Sequence, residues 1–344
     1  MSISIESSCL LSRFPTGISR YGTNLIHNLN ELQVLPDLVI PISRFFKKRS
    51  AGVSGAYYGA QLPLNRSKLV HGLDIVLPRW QRAKKVLTIH DIYLFLDPRD
   101  EISPKEYREK KRKQLEESIR LADRFISVSQ VTKNDFCEFF NVSEERVDVV
   151  HLAANDILDK PKDDSILKKF PEKFIFFIGN LSERKNCLRI LEAYARSSAR
   201  DEYHFVMVGA TAPNYPILEK IKELGIEDKV ILPGFLSDPE IKSLYENARA
   251  LIFPTLYEGF GIPILESMLM GTPVLTSNIG SAPEVGGEHA LYVNPLSIDE
   301  IKQGIEEVVS LKNETFSAKL KEYALNFSWK KTAEETLSVY QKLL

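Results

Sequence analysis

The sequence predicts an α/β protein of two doubly wound domains, and three features of its patterning carry that prediction. Short continuous apolar runs recur along the chain, in the manner of strands buried on both faces of a parallel sheet. Amphipathic stretches at helical spacing separate these runs, so successive strands pair in parallel through right-handed crossovers. Near the middle of the 344 residues, the polar stretch 154–173 interrupts the alternation with lysines, aspartates, Pro161 and Pro171. It is the best candidate for a linker, and the length is comfortable for two domains.

In order, residues 2–6 form an opening strand, and a turn-rich loop at 14–20 (FPTGISR) leads into a helix over 21–32. Leu25, Ile26, Leu29 and Leu32 line one face of that helix. Apolar stretches follow at 38–42 and 68–72, and 85–90 (KVLTIH) reads as a buried strand ending at His90 and Asp91. A long charged helix covers 104–122, then a strand 124–128, a helix 130–140 and a strand 146–151. The second half resumes more cleanly, with strands at 174–179, 203–209, 229–232, 250–253 and 273–277. Helices at 186–198, 216–224 and 239–248 lie between them, followed by 297–311 and by 318–344 with an interruption near 327–329. The expected domains are 1–160 and 161–327, with 328–344 as a final helix.

Composition narrows the function classes. Lys+Arg 45 against Asp+Glu 46 leaves a net charge of -1, so no global field points to nucleic acid. Cys9, Cys137 and Cys187 are widely separated and match no metal spacing, as expected for reduced thiols in the cytoplasm. No run has the apolar length of a membrane span, and the first residues lack the pattern of a secretory leader. Two stretches are locally basic, 45–49 (FFKKR) and 105–113 (KEYREKKRK). Each suits anionic lipid headgroups, and the second reads more readily as a solvated helix face.

In open α/β sheets ligands bind at the carboxyl ends of the strands. The most informative such place is 250–266 (ALIFPTLYEGFGIPILE). A strand ends at Pro254, Gly259 and Gly261 make a loop, and Pro263 suits the start of a helix. Free N–H groups there suit an anion or a hydroxyl-rich ligand. Glu258 sits in the loop, and Glu266 is expected in the first helical turn, where an acid also complements the helix dipole. After the strand at 174–179 come Arg184 and Lys185, cations where the dipole favours acids, so either a diphosphate lies nearby or the pair is simply solvated. His90 suits a sugar contact or a proton transfer, or is a structural histidine satisfied by Asp91. Thr16-Gly17 would admit a phosphate to backbone N–H groups, or is an ordinary turn. Neither D-x-D, a Walker A loop, a metal-spaced cluster nor a G-x-S-x-G elbow occurs.

Glu258 and Glu266 within YEGFGIPILESMLMGTPVLTS, the earlier Gly179…Arg184-Lys185-Asn186, His90-Asp91, Gly17-Ile18-Ser19-Arg20-Tyr21 and Phe327-Ser328-Trp329 together resemble the retaining GT-B glycosyltransferases of family 4. The resemblance covers nearly the whole chain and is weakest from about residue 43 to residue 69. It implies two facing Rossmann-like domains with a cleft between them and a C-terminal helix crossing back to the first. It assigns Glu266 to the ribose of a nucleotide-sugar donor, and Glu258 to the sugar hydroxyls together with the backbone N–H groups of Phe260, Gly261 and Ile262. Arg184 and Lys185 would hold the diphosphate, Gly17 would cover it, His90 would contact the donor sugar, and the base would lie against Phe235 and Leu236. Many family members carry two glycines in the first loop, whereas here Thr16 precedes Gly17.

The stretch 271–286 is especially similar to bacterial mannosyltransferases and rhamnosyltransferases of surface-polysaccharide assembly. The resemblance therefore implies mannose transfer from GDP-mannose, with retention and with neither metal nor cofactor. The acceptor would be a glycan or lipid-linked saccharide at the inner face of the cytoplasmic membrane. A UDP- or dTDP-sugar donor, a non-catalytic scaffold of the same fold and a nucleotide-sugar epimerase are the alternatives.

Overall fold

The computed structural model describes residues 2–11, 16–40, 57–59, 67–78, 83–96 and 105–344. The basic stretch 45–49 and the start of the loop at 14–20 lie outside them. The chain divides into two compact units, Met1–Leu152 with Ser328–Leu344, and Ala153–Phe327.

In the first unit, strands β1 (Ile3–Glu6), β2 (Asp37–Ile40), β3 (Tyr57–Gly59), β4 (Leu69–Gly72), β5 (Lys84–Ile89), β6 (Arg124–Ser127) and β7 (Val147–Val149) form one sheet. The order is β3-β2-β1-β4-β5-β6-β7, and every pairing is parallel. Helices α1 (Gly17–Glu31), α2 (Lys105–Leu121) and α3 (Gln130–Phe140) are the long crossovers. All four residues of β1 and of β4 are buried, the polar Ser4, Glu6 and His71 included, as in strands covered on both faces.

Helix α1 begins four residues before the expected start at residue 21, so Gly17 belongs to a helix and not to a loop. The Ser19 backbone N–H bonds Thr16 Oγ1 at 3.2 Å and Thr16 N–H bonds Ser19 Oγ at 2.7 Å. This reciprocal cap starts the helix at Gly17, where a reading of apolar spacing alone begins at Tyr21.

The second unit holds β8 (Phe174–Ile178), β9 (His204–Val208), β10 (Val230–Gly234), β11 (Leu251–Phe253), β12 (Val274–Ser277) and β13 (Leu291–Val293), again all parallel, in the order β10-β9-β8-β11-β12-β13. Its main helices are α4 (Cys187–Arg196), α5 (Ile217–Glu223), α6 (Asp238–Asn247), α7 (Ile262–Leu269), α8 (Ile298–Leu311) and α9 (Glu314–Ala324). The order reverses between the neighbouring strands β8 and β11, and such a switch point is where doubly wound sheets bind ligands.

The stretch 154–173 is not a free linker. It contains a helical turn at Asp156–Asp159 and a 3-10 helix at Asp164–Lys169 that packs on α6. Lys160 and Lys162 pair with Asp238 and Glu246 of that helix, at 2.7 and 3.1 Å. Lys173 pairs likewise with Glu202 at 2.8 Å, and a count of polar residues does not reveal these pairings.

The last helix, α10 (Trp329–Gln341), belongs to the first unit and lies against α1. Trp329, Ala333, Val339 and Tyr340 are buried there, and Thr332 Oγ1 donates to the His151 carbonyl at 2.8 Å. Beneath it, fully buried His71 bridges Tyr340 Oη and Thr88 Oγ1, each at 2.7 Å.

Candidate active site

In the second unit the site grows from the carboxyl ends of β8 and β11. Strand β8 leads into the turn that carries Arg184, Lys185 and Asn186, and β11 leads into the glycine loop. Asn186 adopts a left-handed conformation (φ 62°), and its Nδ2 donates to the carbonyls of Pro254 and Pro295 at 2.9 and 2.6 Å. Leu256 N–H donates to the Arg184 carbonyl at 2.9 Å. The two loops are thereby bound to each other through their backbones.

That latch carries Lys185 to Glu258. The ammonium lies 2.5 Å from Glu258 Oε1 and 4.9 Å from the centre of the Phe253 ring. Both side chains are about one-tenth exposed, so Lys185 is not a solvated surface cation. Burial pushes the Lys185 pKa down, Glu258 opposes that shift, and the neighbouring Arg184 adds to it. Gly179 gives the lysine its passage. At φ +142° it suits only glycine, and a Cβ there would lie 3.3 Å from Lys185 Cε.

The glycine loop is held from a third side. The Ser281 hydroxyl lies 2.9 Å from the Glu258 carbonyl and 2.8 Å from that of Phe260, and Ser277 donates to the Thr255 carbonyl. The Phe260 ring is buried against Phe327, which leaves its backbone as the part available to a ligand. Gly261, at φ +104°, turns the chain into α7, where Pro263 has no N–H and Ile264 N–H donates to the Gly261 carbonyl at 3.0 Å, so the donor that the first turn leaves without an intrahelical acceptor is Ile262 N–H.

Glu266 is the fifth residue of α7 and not a first-turn acid, which removes the dipole explanation for it. The helix starts at Ile262, and its first turn contains no acid. Glu266 is buried, and Tyr245 of α6 donates to its Oε2 at 2.7 Å. Phe235 and Leu236 lie between β10 and α6, with Phe235 75% exposed.

The first unit has its own cavity of about 700 Å³. Its described lining includes Ser8, Thr16, Asp74, His90, Asp91 and Lys111, with Leu94 and Phe95 supplying apolar surface. Thr16 and Ile18 flank Gly17, so the α1 start borders this cavity. His90 Nε2 lies 2.9 Å from the Leu73 carbonyl, which can only accept, so Nε2 carries the proton and Nδ1 is the acceptor of the neutral ring. Asp91 instead accepts from Tyr93 N–H at 3.1 Å. Burial lowers the His90 pKa, against the opposing influence of Asp74, the Leu73 carbonyl and Asp91, which favours the neutral ring. The Tyr21 ring meets His90 edge-on at 4.9 Å.

Arg184, Lys185, Glu258, Phe260, Gly261, Ile262 and Glu266 thus cluster in the second unit, with Phe235 and Leu236 on its β10–α6 segment. His90 and Gly17 belong to the first. Sequence reasoning missed Tyr245, Ser277, Ser281 and the latching role of Asn186, because a tyrosine on another helix and two serines after a strand carry no spacing signal. Among the described residues, no cluster of three or more His, Cys, Asp or Glu side chains could hold a metal ion. No helix among them is long and apolar enough to cross a membrane.

The chain matches known proteins over most of its length. Residues 159–327 match the family Glycosyl transferases group 1, and residues 17–156 match Glycosyltransferase Family 4. The O-antigen chain mannosyltransferase B of Escherichia coli is 31% identical over 289 residues, spanning 80% of this chain and 74% of that protein. The serotype-specific mannosyltransferase WbdA of Escherichia coli is 30% identical over 277 residues, 76% of this chain but only 34% of that longer protein. Among solved structures, sucrose-phosphate synthase from Thermosynechococcus elongatus aligns with a TM-score of 0.79 over 100% of this chain and 99% of its own, at 16% identity. That likeness establishes the GT-B fold. With both family matches and a relative aligned over most of both chains, the protein belongs to the group 1, family 4 glycosyltransferases and is a hexosyltransferase.

Proposed function

We propose that this glycosyltransferase moves mannose from GDP-mannose onto a glycan or lipid-linked saccharide acceptor of cell-surface polysaccharide, with retention and without a metal. The observation that carries the reading is the buried Lys185–Glu258 pair beside the glycine loop and the start of α7. It places a cation suited to a diphosphate next to a carboxylate suited to sugar hydroxyls. The mannose assignment is supported by the relatives, which are described as O-antigen and serotype-specific mannosyltransferases.

In this reading Glu266 accepts from the ribose, and the exposed Phe235 ring with Leu236 meets the base. Arg184 and Lys185 hold the diphosphate and stabilise the negative charge that grows on it as the bond to the anomeric carbon breaks. Glu258 and the backbone at Phe260, Gly261 and Ile262 orient the hexose. The acceptor hydroxyl forms the new bond on the face the diphosphate leaves, and its proton passes to a phosphate oxygen of the departing group. His90 presents neutral Nδ1 as a hydrogen-bond acceptor for a sugar hydroxyl. The basic helix α2 would allow peripheral contact with anionic headgroups.

A thermal-shift panel of GDP-, UDP- and dTDP-sugars tests the donor, since a ligand at a hundred times its Kd stabilises by about 2.7 kcal/mol. GDP-mannose should give the largest shift, and purified enzyme should release GDP from it. A larger shift with a UDP-sugar would replace the donor, and no turnover across the panel would refute the reading. Free epimerised sugar formed from donor alone would identify an epimerase.

A further inference from the structure

Glu266 is held by a residue that sits behind it on another helix. Tyr245 is completely buried, and its hydroxyl donates to Glu266 Oε2 at 2.7 Å. Two further contacts fix the tyrosine. Its ring stands edge-on to Phe176 of β8 at 5.0 Å and 87°, and its backbone carbonyl accepts from Thr272 Oγ1 at 2.6 Å. The hydroxyl therefore cannot follow a wandering carboxylate, and the carboxylate must stay where the hydroxyl is. A glutamate has rotatable bonds enough to present its oxygens in many directions, whereas reading a vicinal diol requires one direction held fixed. Helix α6 is also the element that follows Phe235 and Leu236. One helix thus links the segment read as meeting the base to the carboxylate read as meeting the sugar attached to it.

We propose that Tyr245 is a positioning residue, fixing the Glu266 carboxylate for the 2′,3′-diol of the donor ribose and so setting how strongly the enzyme distinguishes ribose from deoxygenated sugars. The proposal rests on the assignment of Glu266 to the ribose. A carboxylate accepts both diol protons only while its oxygens keep their orientation, and a charge-assisted bond from a buried phenol supplies that restraint.

The test measures dissociation constants by calorimetry for GDP and UDP, each beside its 2′,3′-dideoxy analogue, with wild type, Tyr245→Phe, Glu266→Ala and the double variant. Wild type should prefer the ribonucleotide that it binds over its dideoxy analogue. Tyr245→Phe should lower that preference by about tenfold, the size expected of one hydrogen bond to a charged group. It should leave the affinity for the dideoxy analogue unchanged, and it should add nothing once Glu266 is alanine. A merely structural role for Tyr245 would weaken both nucleotides equally and leave their ratio intact, which overturns the proposal. The ratio is insensitive to a partly misfolded fraction. If Glu266→Ala itself keeps the wild-type ratio, the ribose assignment fails and the proposal fails with it. A ratio lost in Glu266→Ala but kept in Tyr245→Phe sinks the positioning role alone.

Discussion

Lys185 and Glu258 are 73 residues apart in the chain and are each other's counterion, 2.5 Å apart and nearly buried. The family resemblance assigns them to different parts of a donor, one to the diphosphate and one to the sugar. In the proposed reading, each charge would hold the other at the boundary between those two ligand parts. Breaking a buried pair by removing one partner costs about 3–5 kcal/mol, mostly through the charge left behind. Lys185→Ala and Glu258→Ala should each destabilise the fold to a degree of that order. The double variant should cost less than the sum, and transfer should be abolished in all three. Urea denaturation with an activity assay checks this, and strict additivity would mean the pair is not energetically coupled.

The latch at Asn186 separates conformation from hydrogen bonding. Its φ of 62° is comfortable for glycine, whereas its two bonds to Pro254 and Pro295 require the amide. Asn186→Gly should keep the turn and lose the latch, whereas Asn186→Ala should lose both and be less stable by about a further 1 kcal/mol. Both should raise the donor KM, because the turn carrying Lys185 is no longer tied to the glycine loop. Thermal melts and steady-state kinetics distinguish the two effects. Equal stability of the two variants would mean the backbone conformation is not what Asn186 supplies.

The returning helix α10 contributes core to the first unit. Trp329 and Tyr340 are both buried, and removing a buried large side chain costs about 3–5 kcal/mol. Trp329→Ala should therefore lower the melting temperature of the first unit markedly. It should leave nucleotide binding by the second unit, measured below that transition, close to wild type. Joint loss of the two would show that they unfold as one.

The alternation of strands and helices was legible because parallel strands are buried on both faces and so appear as unbroken apolar runs. Glu258 and Glu266 stood out because a proline and two glycines punctuate the end of a strand. The start of α1 was misplaced because Thr16 and Ser19 act through a reciprocal cap and not through periodicity. The depth of Glu266 in α7 was missed because Gly261 is still outside the helix but Ile262 is not. Tyr245 was invisible for a different reason: its partner is reached through tertiary packing, and nothing about a tyrosine on a helix announces a bond to a carboxylate on the next one.

His71 should leave a signature in the acid stability of the first unit. Burial pushes its pKa down to about 3, with His90 adding to the shift, while the unfolded value is about 6.5. Its folded pKa is depressed, so between about pH 6.5 and 3 the unfolded chain binds a proton that the folded ring does not. Its stabilising contribution is therefore complete above pH 6.5 and declines as pH falls through that window, by at most about 1.4 kcal/mol per pH unit. His90, lowered in the same direction, adds to the slope. Denaturant titrations at pH 7.5, 6, 5 and 4 should show this decline. His71→Gln, which keeps polar groups facing Thr88 and Tyr340, should start less stable at neutral pH and fall less steeply. An identical slope in the variant would mean that burial does not lower the pKa of this ring in the fold.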